Sequence, residues 1–130
     1  MSPAAVRDWP TGNVLPLLHE IRHALERLLN EGMSTTIDLR AIPLGPGEET
    51  QIEQTLGSGE VSATMESLGR SEFQETGIAG VWLVTHRNAQ EEVIARFIEI
   101  VEVPQLLRSQ RQDMADALSE LQSRLAAESG

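Results

Sequence analysis

No cysteine occurs in the chain, and no lysine: all ten basic residues are arginine. The first absence excludes disulfides, thiolate zinc sites, cysteine-held iron–sulfur clusters and a thiol nucleophile together. The second reads as compositional bias. Aromatic residues amount to only 3%, namely Trp9, Phe73, Trp82 and Phe97, so the core has to be aliphatic within a 40% apolar composition. No apolar run approaches the roughly 18 residues of a membrane span. The opening MSPAAVRDWPTGNV has neither the basic segment nor the continuous apolar stretch of a secretory signal. The expectation is a soluble, cytoplasmic chain with no membrane partner, and 130 residues suit a single domain, residues 1–130, with 1–12 loose and 126–130 frayed.

Charge is unevenly spread within the net −10. Residues 1–30 balance three arginines against three acids, residues 31–80 hold nine acids against two arginines, and residues 81–130 hold eight against five. A negative field centred on 31–80 repels phosphate backbones, which argues against nucleic acid and favours a basic or amphipathic polypeptide.

Apolar spacing then divides the chain. Val14, Leu18, Ile21, Leu25 and Leu28 recur at alternating intervals of four and three, widened by Leu17 and Leu29. This predicts a helix capped by Asn13 and closed by Gly32. Thr35 to Leu39 reads as a short strand, and GEETQIEQTL at 47–56 as a short helix with acids in its first turn and Gly57 as its stop. From Glu60 the period falls to two, with Val61, Ala63 and Met65 on one face. Strands are expected at 72–78, at 81–86 with Val81, Leu83 and Thr85 opposed to Trp82 and Val84, and at 93–102, the last two joined by a turn at 88–91. Pro104 to about Ala127 carries Leu107, Met114, Leu118, Leu121 and Leu125 in one stripe. Packing of this last helix on the sheet is expected ahead of packing on a second copy. The class is α+β: an antiparallel sheet of four to five strands with N-terminal and C-terminal helices and one short helix packed on it.

Chemistry-bearing residues are few. His19 and His23 have the i, i+4 spacing of a helical metal pair, but they fall opposite the leucine stripe and no third ligand identifies itself, so no metal and no cofactor is expected. The serines lie in no nucleophile elbow, and His86 alone makes no triad. Most of the acids suit helix starts or solvated faces. Glu60 in GSGEVSA and Glu75 stand apart because each adjoins glycine and strand. Gly57 and Gly59 are read as positive-φ residues where a helix stops and a strand starts. Trp82, beside Gly80, is a core residue or a partly exposed anchor for a partner.

IDLRAIPL at 37–44, LGSGEVSA at 56–63, FQETGIAGVW at 73–82 and EIVEVPQLL at 99–107 together resemble the HupH-type expression and maturation proteins of NiFe hydrogenase, in their C-terminal domain. The resemblance covers Leu15 to Leu107. It implies an accessory, non-enzymatic assembly factor acting on the iron–sulfur small subunit before export, with the small-subunit precursor or its basic leader and other maturation proteins as partners. It matches Gly57, Gly59, Glu60, Gln74, Glu75, Gly80 and Trp82 to motif positions. Glu60, Gln74, Glu75 and Trp82 are the partner-binding candidates, and the three glycines are structural. Members of this family are often longer, with two related halves, so a homodimer of this single unit is one expectation and a shortened paralogue another. The competing reading is a small hydrolase or isomerase using Glu60 and Glu75, which requires a pocket enclosing both.

Overall fold

The computed structural model describes residues 11–129. Element order is α1 (Val14–Glu31), β1 (Thr35–Asp38), α2 (Glu48–Leu56), β2 (Ser62–Glu66), β3 (Arg70–Glu75), β4 (Val81–Arg87), β5 (Val93–Ile100) and α3 (Arg111–Ser129), with 3-10 turns at Leu39–Ala41 and Gln105–Leu107. The strands form one antiparallel sheet in the order β1-β5-β4-β3-β2. The α+β class is as expected.

Pleating separates two apolar sets. Ile37, Val81, Ile98 and Ile100 point to the face covered by α1 and α2, where they meet Val14, Leu17, Ile21, Ala24, Ile52 and Leu56. Each large aliphatic side chain buried there contributes about 1.5–3 kcal/mol. Phe73, Trp82 and Val84 point to the opposite face and form a second cluster with Ala63, Phe97, Val101 and Leu107. The alternation expected in β4 is therefore observed, with both of its faces buried.

α1 ends as its sequence predicts: Gly32 adopts φ 71° and its N–H donates to Leu28 O. Its start differs. Asn13 makes no side-chain cap; its amide instead donates to Pro43 O at 2.7 Å, tying the helix to the loop before α2. The buried stripe is centred on Leu17 and Ala24, and Leu29 faces solvent rather than widening it. β3 stops at Glu75, short of 78, because Thr76 closes the loop to β4. Its N–H and hydroxyl both donate to Val81 O, and its oxygen accepts from Ile78 N–H. β2, an edge strand, is largely exposed, so its alternation marks the pleat more than burial.

The largest correction concerns the C-terminal helix. It begins at Arg111, not Pro104, and none of its residues is buried. The chain after β5 already occupies the second face: Pro104 is buried and Leu107 packs on the Phe73–Trp82–Val84 cluster. With that apolar surface covered, the sheet offers a long helix nothing to pack on. Helical geometry continues to Ser129, through the residues expected to fray. Of the segment expected to be loose, residues 1–10 lie outside the described residues, while Thr11 is anchored to Glu48.

Candidate functional site

The GSGEVSA segment answers to Glu75. Gly59 N–H donates to Glu75 O at 2.8 Å and Glu75 N–H donates to Val61 O at 2.9 Å, so the main chain of Glu75 grips both neighbours of Glu60. Glu60 itself is exposed. Gln74 completes the clamp, its side-chain amide donating to Glu75 O at 2.8 Å and to Gly59 O at 3.3 Å. The Gln74 amide is thus engaged with the main chain beneath the turn.

The glycines have separate reasons. Gly57 stops α2 at φ 76° and Gly80 precedes β4 at φ 87°, both in the left-handed region. Gly59 is not at positive φ, contrary to expectation. A Cβ there would meet Thr76 O at 2.6 Å and Glu75 Oε1 at 2.8 Å, so close approach of two chains is what demands glycine.

Strand register sets Glu75, Trp82 and Glu99 in one row across β3, β4 and β5, on the face away from α1. Strands about 4.8 Å apart place the two carboxylate-bearing backbones about 10 Å apart, with the indole between them. Trp82 is 4% exposed, which makes it a core residue and removes it from the surface as a partner anchor. Its buried Nε1–H finds no acceptor among the described residues. Glu99 is half-buried, and desolvation pushes its carboxyl above the usual range. Among the described residues Glu60, Glu75 and Glu99 take part in no ion pair.

On the helix-covered face several acids are matched. Arg96 on β5 bonds Glu49 and lies 3.4 Å from Glu53, both on α2. Arg87 Nε donates to Glu72 Oε1 at 2.5 Å and holds that carboxyl below its usual range. Glu48, read from sequence as a dipole-favoured helix start, is buried. It accepts from Gly45 N–H at 2.6 Å and from the Thr11 hydroxyl at 2.7 Å, bonds that lower its pKa.

His19 and His23 are exposed, and no group of three metal-ligating side chains occurs among the described residues. His86 has a partner the sequence did not indicate, Ser71 Oγ at 2.7 Å from Nδ1, and stands edge-on to Phe73 and Phe97. A cavity of about 60 Å³ beside the turn is lined by Glu53, Gly57, Ser58, Gln74, Thr76 and apolar neighbours, and by neither Glu60 nor Glu75. Among the described residues no helix is long and apolar enough to cross a membrane.

Sequence reasoning missed Glu99. Its signal was present as a charge in mid-strand, on the same alternation as Phe97 and Val101, and it needed the register with Trp82 to acquire meaning.

Comparison with known proteins gives a consistent answer. Residues 11–127 match the family described as HupH hydrogenase expression protein, C-terminal conserved region. A hydrogenase expression/formation protein HupH of Rhizobium leguminosarum bv. viciae is 26% identical over 123 residues, which are 92% of this chain and 44% of that protein. HoxQ of Azotobacter vinelandii, named likewise as a hydrogenase expression/formation protein, is 25% identical over 118 residues, covering 88% of this chain and 42% of its own length. The chain thus spans less than half the length of these curated relatives. The solved structure of the hydrogenase expression protein HupH from Thiobacillus denitrificans superposes with a TM-score of 0.86 at 46% identity, covering 92% of this chain and 99% of that one. Motifs, fold and family match converge, and the chain belongs to the HupH family of hydrogenase expression proteins, matching its C-terminal conserved region.

Proposed function

We propose that this chain is a chaperone-like assembly factor that holds a cationic segment of a hydrogenase component against the sheet end carrying Glu60, Glu75 and Glu99. The observation that carries this reading is the Glu75–Trp82–Glu99 row, in which a half-buried, desolvated carboxylate has no cation partner among the described residues, whereas Glu72 and Glu49 on the opposite face each have an arginine. An arginine reaching this row would relieve the desolvated charge and gain charge-assisted hydrogen bonds.

The small-subunit precursor is the partner that best fits this chemistry, through its basic leader, and other maturation proteins are secondary partners. Encounter in the cytoplasm follows, because the leader is present only before export. The reading assigns no catalysis and no cofactor to the chain. An enzyme built on Glu60 and Glu75 is disfavoured by the exposure of Glu60 and by a neighbouring cavity that neither carboxylate lines.

The test is capture of the purified precursor, with and without its leader, at low and high salt. Leader-dependent capture that weakens with salt and falls at least tenfold in Glu99→Gln supports the reading. Capture indifferent to leader and salt, or unchanged in Glu99→Gln and Glu75→Gln, overturns the acidic row as the contact.

A further inference from the structure

α3 is an anomaly of stability as much as of packing. A 19-residue helix with no buried side chain lacks the packing of an amphipathic face that supplies most helical stability in proteins. Its apolar residues are nevertheless ordered: Met114, Leu118, Leu121 and Leu125, between 52% and 57% exposed, follow one another at four, three and four residues. This is the seam spacing of a coiled coil, running as d, a, d, a. Arg111 continues it at one end as an a position, and Glu128 at the other as a d position.

Reversal leaves this seam unchanged. Turned end for end about the midpoint between residues 119 and 120, the pattern places Met114 opposite Leu125, Leu118 opposite Leu121 and Arg111 opposite Glu128. In the antiparallel arrangement a positions meet d positions, so each layer is matched, and both end layers become ion pairs. A parallel pair would instead set Arg111 against Arg111 and Glu128 against Glu128. The flanks suit the same arrangement. Ala115, Ala117, Gln122 and Arg124 border the seam, whereas Asp113, Asp116 and Glu120 fall on the outer side of the helical wheel. Two copies of an acidic chain can therefore meet along α3 without opposing carboxylates.

We infer that α3 pairs with α3 of a second copy of this chain, antiparallel, through Met114, Leu118, Leu121 and Leu125 with Arg111–Glu128 pairs closing both ends. The contact is isologous and self-limiting, so it produces a dimer and not a fibre. No residue of α3 is buried against the sheet, so pairing through this seam displaces no existing contact of the acidic row. The seam is about two heptads long and sits at the weak end of specific interfaces.

Sedimentation velocity of the full chain over a range of micromolar concentrations tests the pairing. The wild type is expected to shift from monomer to dimer, and Leu118→Asp with Leu121→Asp is expected to stay monomeric with the unfolding of the sheet domain unchanged. Orientation is read separately. Arg111→Glu is expected to weaken association about tenfold, one decade in the dissociation constant, and Arg111→Glu with Glu128→Arg to restore it. In a parallel pair both end layers would be like-charged in the wild type and in either variant, so the second change would not act as a charge-pair rescue. The chain has no cysteine, so Met114→Cys and Leu125→Cys variants can be mixed and oxidised cleanly. A disulfide between residues 114 and 125 supports the inference, whereas efficient 114–114 bridging overturns the orientation. A chain that remains monomeric at several hundred micromolar overturns the dimer. So does protection of α3 only when a hydrogenase component is added, which would assign the stripe to that partner.

Discussion

The two faces of the sheet are built to different standards of completion. On the side of α1 and α2, Ile37, Val81, Ile98 and Ile100 disappear beneath helices, and at the polar end of that face Arg96 pairs with Glu49 and lies near Glu53. On the other side no helix packs among the described residues. A linker carrying Pro104 and Leu107 covers Phe73, Trp82 and Val84, while Trp82 Nε1 and Glu99 are left without partners among the described residues. Buried polar groups are ordinarily satisfied; Arg70 Nε, on the helix-covered face, also lacks a hydrogen-bond acceptor among the described residues, but its guanidinium is paired with Glu91. Both faces bury apolar clusters, but the linker-covered one carries a buried indole N–H and a desolvated carboxyl without partners among the described residues.

Removing the second cluster is the most severe test of this division. Phe73 is 1% exposed, and Phe73→Ala is expected to destabilise the domain by about 3–5 kcal/mol, as for a fully buried aromatic. Ile98→Ala on the helix side should cost about 2–5 kcal/mol. Chemical denaturation of both variants decides the matter. If Phe73→Ala costs less than 1 kcal/mol while Ile98→Ala costs its full value, the linker-covered face is a surface and not a second core.

A smaller effect is expected at Gly59, where the two chains that carry Glu60 and Glu75 meet. Gly59→Ala forces a Cβ against Thr76 O and should cost about 1–3 kcal/mol, the range of overpacking in a tight site. Gly12→Ala, by contrast, meets no neighbouring atom and bears only the strain of its φ of 81°. Equal thermal shifts in the two variants would remove the close approach as the reason for Gly59.

The helix-covered face was legible in sequence because its determinants are local. Apolar periodicity marked α1 and β4, and Gly32 and Gly57 marked where α1 and α2 stop. What escaped depends on contacts distant along the chain. Glu48 resembles any helix-start acid until Thr11, 37 residues earlier, is found bonded to it. Glu99 resembles a solvated strand charge until the register sets it beside Trp82. Gln74 matched a motif, yet its amide is engaged with the turn it stands under. The stripe of α3 was plain in sequence, but a stripe records that a helix has a partner and not which one. The expectation of sheet packing failed because Leu107, from the same stripe, had already docked ahead of the helix.

The finest discrimination between the faces comes from proton linkage. Glu99 has its carboxyl pKa raised in the fold by desolvation, so its protonated form is the one the folded state prefers. The stability it allows is fully present below the unfolded carboxyl pKa and is lost as pH rises through the raised folded value. Glu48 and Glu72 run the other way. The Gly45 and Thr11 bonds to Glu48 and the Arg87 bond to Glu72 depress their pKa values, and the stability they contribute is present above the unfolded pKa and lost as pH falls through the folded one. At neutral pH Glu99→Gln therefore removes a cost. The domain is expected to gain a few tenths of a kcal/mol after solvent screening is allowed for, with the gain shrinking toward acid pH. Thermal unfolding of wild type and variant between mildly acidic and neutral pH measures the difference directly. A variant that is more stable at neutral pH but captures the hydrogenase precursor less well marks Glu99 as a charge retained for binding. A variant less stable at every pH instead places a cation against Glu99 within the fold, and the distinction between the two faces would then rest on Trp82 alone.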